Sequence, residues 1–326
     1  LVRRSKVQIS KVVLYWAVLT IGLSFAWTLL LNALQLGGVG SALSLVVPVV
    51  GGGLASILLY ALHDHQALEY DDIGYALEKG RKSVERHKWS EFKECSITKD
   101  SYGRNTVRAY SERDGNHLDI DTSACGVDPY AFRDFMADRI RPLGISYSSP
   151  SSLDVFSGLE REIQRGRAGW IADLNETFRD YQISGEMFQL IARGGTRPKG
   201  FLLSRFVAMT IMPDYRVCLY ADALKDSGSA AKSQVMRLIR LIETQRDQRD
   251  IKWSWLLLFS DQEPPELVNR FVEDFGNKDI GLGCIDVSTG KVVASRNQLG
   301  RSLTRQMRLN KLIEDLKKRK RGQTGM

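Results

Sequence analysis

Histidine is scarce in this chain, with four among 326 residues, and the scarcity narrows the chemistry available to it. His63 and His65 flank Asp64. That spacing can seat a metal on a strand, but the pattern supplies no third ligand, so the pair reads as solvated. His87 and His117 fall in a stretch that alternates like strands, and no Ser/His/Asp or Cys/His arrangement can be assigned around them. Cysteine is equally sparse. Cys95, Cys125, Cys218 and Cys284 are widely separated and form no C-x-x-C pair, which excludes a disulfide framework and a zinc ribbon and suits reduced thiols. Charge is missing altogether from two runs, Val12 to Leu34 and Ser41 to Ala61.

Each of those runs is as long as the roughly 20 helical residues that cross a hydrocarbon core about 30 Å thick. Two such runs separated by a short turn predict a retained transmembrane hairpin rather than a cleaved signal. The segment before the first run carries Arg3, Arg4, Lys6 and Lys11, whereas the turn Leu36-Gly37-Gly38-Val39-Gly40 carries no charge. By the positive-inside rule this predicts a multi-pass inner-membrane protein with both termini cytoplasmic and the lipid bilayer as a partner. No charge inside the runs means no ion path. Gly51 and Gly52 stand four residues before Ala55 and Ser56, and Gly22 stands four before Ala26. Small residues at that spacing let helices approach closely, either within the chain or in a homo-oligomer through these helices. The first residue is Leu rather than Met, so the start is expected to be missing or non-standard.

After the hairpin, turn signals at Tyr102-Gly103-Arg104-Asn105 and Asp114-Gly115-Asn116 separate short alternating runs. Strands are expected over Glu91 to Thr98, Thr106 to Glu112 and His117 to Asp121. A helix is expected from Asp128 as N-cap and Pro129 at the first position, with Phe132, Phe135, Met136 and Ile140 on one face. This order over residues 70–141, with Trp89 and Phe92, Asp114-Gly115 and the closing Phe132-Arg133-Asp134-Phe135, resembles the bacterial pleckstrin-homology-like membrane proteins. The resemblance implies a binding or scaffolding module rather than an enzyme. Lys79, Arg81, Lys82, Arg86 and Lys88 form a basic cluster interleaved with Glu78 and Glu85, read as a solvated strand face or as a surface for anionic lipid.

Ser146-Tyr147-Ser148-Ser149-Pro150-Ser151-Ser152 marks a linker. Beyond it, a helix around Leu153 to Gln164 precedes apolar runs at Ile183 to Ala192, Phe201 to Met212 and Val217 to Ala221. A helix from Lys232 to Gln248, a strand from Trp253 to Ser260, a helix from Pro265 to Phe275 and strands at Gly281 to Val287 and Val292 to Ala294 follow. Helices alternating with fully apolar strands imply a sheet covered on both faces. The order is similar to the restriction-endonuclease-like nucleases, and Pro213-Asp214 with Asp222 and Lys225 echoes their acid and lysine signature. Those enzymes bring two carboxylates and a lysine to one divalent ion. On one strand Asp214 and Asp222 would stand about 26 Å apart at ~3.3 Å per residue, so the echo fails on geometry. Gly281-Leu-Gly283 lies inside a strand and lacks the context of a dinucleotide loop. Gly194 to Gly200 is a basic Gly-rich loop without P-loop spacing.

From Arg296 to Met326 ten basic residues face two acids, which accounts for the net charge of +8. Arg301, Arg305, Arg308, Lys311, Lys317, Lys318, Arg319, Lys320 and Arg321 form the candidate surface for anionic lipid headgroups or nucleic acid, on a segment where Leu309, Leu312, Ile313 and Leu316 recur at helical spacing. The alternative is a helix docked on its own domain.

The expected fold class is thus a multi-domain membrane protein: transmembrane hairpin over 1–63, β-rich domain over 64–145, linker over 146–152, α/β domain over 153–298 and basic tail over 299–326. The expected function is a non-catalytic interaction or scaffolding module at the inner membrane surface, with lipid, nucleic acid or a protein as partner. The alternative is a tethered nucleic-acid-binding or nuclease-like enzyme. No catalytic residue, metal ligand or cofactor is assigned.

Overall fold

The computed structural model describes residues 3–4, 9–33, 48–55, 66–79, 83–100, 103–111, 115–140, 150–165, 172–196, 215–225, 228–306 and 314. It divides into two units, Leu1–Cys95 with Thr106–Pro142, and Ser96–Asn105 with Leu143–Met326.

In unit 1, β1 (Arg3–Arg4), β2 (Gln66–Tyr70), β3 (Gly74–Lys79) and β4 (Ser83–Lys88) form an antiparallel sheet in that order. The β2–β3 turn is built by Asp71, whose Oδ1 accepts from Ile73 N–H at 2.8 Å and Gly74 N–H at 3.0 Å. Strand β5 (Glu94–Lys99) starts in this unit, β6 (Asn105–Tyr110) pairs with β7 (His117–Ile120), and a helix closes it. The sequence placed β5 to β7 and that helix to within a few residues, but of β2 to β4 it gave no bounds, only a strand face through Lys79 to Lys88, because their charged residues hide the alternation. The core gathers Leu68, Leu77, Trp89, Val107, Ile120 and Phe132.

Helix α1 (Ile9–Ala33) and helix α2 (48–55) precede β2. Trp16 Nε1 donates to the Val49 carbonyl at 3.1 Å. A Cβ on Gly52 would stand 2.6 Å from Thr20 Oγ1 and 3.0 Å from Thr20 N, so this glycine permits the approach, while a Cβ on Gly22 would meet nothing within 4 Å among the described residues. Val18, Ile21 and Phe25 on α1 are 61%, 72% and 70% exposed, and in working proteins an apolar patch of this kind is covered by another surface.

The expected transmembrane hairpin requires correction. Among the described residues no helix is long and apolar enough to cross a membrane. Within α1, Ser24 and Thr28 hydroxyls turn back to the Thr20 and Ser24 carbonyls at 2.7 and 2.8 Å. Arg3 and Arg4, in the segment expected on the cytoplasmic side, form β1 and pair with Tyr70 and Glu69. The membrane fold class, the multi-pass description and the inner-membrane localisation with cytoplasmic termini are withdrawn with the hairpin. His63, Asp64, His65, Arg81, Lys82 and Ser56 lie outside the described residues.

α3 (Pro129–Ile140) is the closing helix of unit 1, and its entry is set by the Asp128 carboxylate, which accepts from Tyr130 N–H at 3.4 Å and Ala131 N–H at 3.3 Å.

After Ser96–Asn105, unit 2 resumes with α4 (Pro150–Gln164), so the last residues of the expected linker are helical, and 141–149 lie outside the described residues. Strands β8 (Asp173–Ile183), β9 (Glu186–Gly195) and β10 (Arg216–Ala223) form a meander. α5 (Gly228–Arg249) leads to β11 (Ile251–Ser260) and α6 (Glu266–Glu273) to β12 (Ile280–Asp286), both parallel to β10. β13 (Val292–Ala294) returns antiparallel, and α7 (Gln298–Gln306) ends the description apart from Glu314. The α/β content agrees with the sequence. Phe156, Leu159 and Ile163 of α4 and Leu299 and Leu303 of α7 pack on one sheet face with Leu219, Trp255 and Leu257. The buried Val235, Leu238 and Ile242 of α5 and Val268 and Val272 of α6 belong to the helices of the β10–β11 and β11–β12 crossovers.

Candidate functional site

The strand ends of unit 1 build a cleft of about 420 Å³, lined by Glu69, Tyr70, Asp71, Ile73, Gly74, Tyr75, Ala76, Arg86, His87, Lys88 and Glu91. Pairing registers place its side chains in two rows across β2, β3 and β4: Glu69, Ala76 and Arg86 in one, and Tyr70, Tyr75 and His87 in the next. The rows alternate faces because the strand period is two. Ala76 is the smallest side chain of the first row and leaves the gap between its charged neighbours.

His87 is held from two sides. Its ring lies 5.3 Å from that of Tyr75, and Nδ1 stands 2.9 Å from Glu91 Oε2. The other carboxylate oxygen of Glu91 accepts from Lys88 N–H at 3.1 Å. These bonds, from His87 first and the Lys88 backbone second, hold the Glu91 carboxyl below its usual range. Asp71 is lowered in the same way by the backbone N–H groups of Ile73 and Gly74. Tyr75 is 3% exposed, and burial, then the charges of Glu85 and Glu91, push its hydroxyl pKa upward. That hydroxyl is buried with no hydrogen-bond partner among the described residues.

An orphaned buried hydroxyl costs about 1–3 kcal/mol of desolvation. Tyr75→Phe is therefore expected to raise stability by about 1 kcal/mol, read as a higher urea midpoint with an unchanged slope. A lower midpoint would show that the hydroxyl has a structural bond.

The residues of the nuclease-like echo separate differently. Asp222 ends β10 at 2% exposure, and burial pushes its carboxyl up to about 6, opposed by Lys225 and the Ala223 backbone and reinforced by Glu186 and Asp180. The strand end is clamped by Gln234, whose Nε2 donates to Ala223 O at 3.0 Å while its Oε1 accepts from Lys225 N–H at 3.1 Å. Asp214 lies outside the described residues, and among the described ones no group of three His, Cys, Asp or Glu side chains could hold a metal ion.

Gly194 and Gly281 have packing roles, while 197–200 of the first glycine-rich motif lie outside the described residues. A Cβ on Gly194 would stand 1.9 Å from Asp173 O, at the β8–β9 irregularity. A Cβ on Gly281 would meet Leu299 C at 2.7 Å and Trp255 Cδ1 at 2.8 Å, where Trp255 Nε1 donates to Leu299 O at 3.1 Å. Gly281→Ala should therefore cost about 1–3 kcal/mol by overpacking α7 against β12. A thermal melt within 1 °C of the parent would contradict that.

Of the basic surface residues, Arg301 is exposed on α7 and Arg305 lies in the same helix. Arg308, Lys311, Lys317, Lys318, Arg319, Lys320 and Arg321 are outside the described residues, so the structure does not bring this set together. The cleft was missed in the sequence, although His87 and Glu91 at i, i+4 and the Asp71-to-Gly74 turn were there to be read. No family model, curated protein or solved structure matches the chain.

Proposed function

We propose that this chain is a non-catalytic binding module and that the cleft of unit 1 is its ligand site. The observation that carries the reading is the cleft itself: Glu69 and Arg86 flank the gap over Ala76, an exposed apolar residue, Ile73, is among the lining, and the packed rings of Tyr75 and His87 brace the same strands from the other face. Glu91 orients the His87 ring as a carboxylate orients a catalytic imidazole, yet among the described residues no Ser, Thr or Cys lines the cleft to serve as a nucleophile. Binding is the use that this lining supports. The resemblance of residues 70–141 to pleckstrin-homology-like proteins points the same way, since such domains serve largely as interaction modules.

The test follows the Cε1–H resonance of the His87 ring, assigned among four histidines by His87→Gln, during titration of the full chain with hexanoate, hexylammonium and hexanol. Saturable movement with at least one probe, lost in Ala76→Trp, supports the reading. A resonance unmoved by all three overturns it.

A further inference from the structure

The charged groups of the cleft are unequally committed. Both oxygens of Glu91 are engaged, by His87 and by the Lys88 backbone. Asp71 is engaged by two backbone N–H groups, and Glu69 also has an interaction within the protein. Arg86 is exposed on β4, the last strand of its sheet, and among the described residues its guanidinium has no ion pair or hydrogen bond. The cleft has therefore met its acids internally and leaves a cation over.

A guanidinium is a planar fork that matches an anionic oxygen pair. Three carboxylates nevertheless line the same cleft, and their repulsion grows with ligand charge, which favours a singly charged carboxylate over a doubly charged phosphate. Ala76 lies next to Arg86 in the register and Ile73, 71% exposed, lies in the adjoining turn, so an apolar body has surface to cover beside the charge.

We propose that the cleft takes a small organic carboxylate, its charged end on Arg86 beside Lys88 and its apolar body over Ala76 and Ile73. This rests on the reading of unit 1 as a binding module, and the probes separate the two claims. The full chain is titrated with hexanoate, hexylammonium and inorganic phosphate while the heat of binding is measured by calorimetry. Hexanoate is expected to bind saturably and Arg86→Gln to weaken it about tenfold or more, the scale of a charge-assisted hydrogen bond. Arg86 is exposed, so its substitution leaves the fold intact, as an unchanged urea midpoint confirms. Binding of hexylammonium in place of hexanoate overturns the anion and leaves the binding module standing. Phosphate bound in place of hexanoate overturns the carboxylate, and equal hexanoate affinity in Arg86→Gln overturns the role of Arg86. Silence with all three probes overturns the carboxylate site, and the binding module falls with it when hexanol is silent as well.

Discussion

Phe132→Ala should destabilise unit 1 by about 3–5 kcal/mol, the range for emptying a buried aromatic site. Phe132 is fully buried, and its ring stands edge-on to Tyr70 at 5.0 Å, with Tyr75 and Trp89 both at 6.3 Å. Edge-to-face pairs add about 0.5–1.5 kcal/mol each beyond area burial, so truncation removes several favourable contacts at once and leaves a cavity that the rigid strands cannot close. The same rings support Tyr75 and through it His87, so the loss reaches the strands that build the cleft. Phe135, one turn on, is only half-buried and carries Arg139 over its ring at 3.3 Å, so Phe135→Ala should cost distinctly less. Urea unfolding followed through the His87 ring resonance checks the ranking. A loss below about 1 kcal/mol for Phe132→Ala would mean that the core of unit 1 lies elsewhere.

Sequence patterning located the elements whose signals are local. The helix now seen as α5 declared itself through Val235, Leu238, Ile239 and Ile242, and β11 and β12 through runs buried on both faces. Strand β8 escaped because Asp173, Asn175, Glu176, Arg179 and Asp180 break its apolar alternation, although Ser184 and Gly185, both at positive φ, form the two-residue turn that joins it to β9. The two uncharged runs misled in a different manner. Apolar length alone measures a capacity to span, and among the described residues no helix is both long and apolar enough to cross a membrane. Hydropathy also could not foresee that Arg3 and Arg4 pair with a strand more than sixty residues away. The cleft was illegible for a related reason. Its rows come from cross-strand register, and Tyr75 meets His87 only once β3 and β4 are paired.

Asp222→Asn should stabilise the chain by about 2–3 kcal/mol at pH 7.5, and the sign follows from where the proton is held. The ordinary carboxyl value of 3.8 is pushed to about 6 in the folded chain, so near pH 5 the folded chain keeps a proton that the unfolded chain has lost. Below about pH 4 both states are protonated and the substitution changes little. Between about 4 and 6 the native protein loses stability as pH rises, and above about 6 the full penalty of a buried carboxylate remains, about 1.4 kcal/mol for every tenfold difference in proton affinity between the folded and unfolded chain. Asparagine keeps the shape and removes the charge, so the variant's stability should be flatter across that window than the parent's. Urea unfolding at pH 4 and 7.5 measures the difference. Lys225 is the cation that opposes the rise, so Lys225→Met should deepen the penalty in the parent and change nothing in the asparagine background. If Asp222→Asn were instead destabilising at pH 7.5, the carboxylate would be held charged by Lys225, and the end of β10 would be a structural ion pair rather than a buried acid.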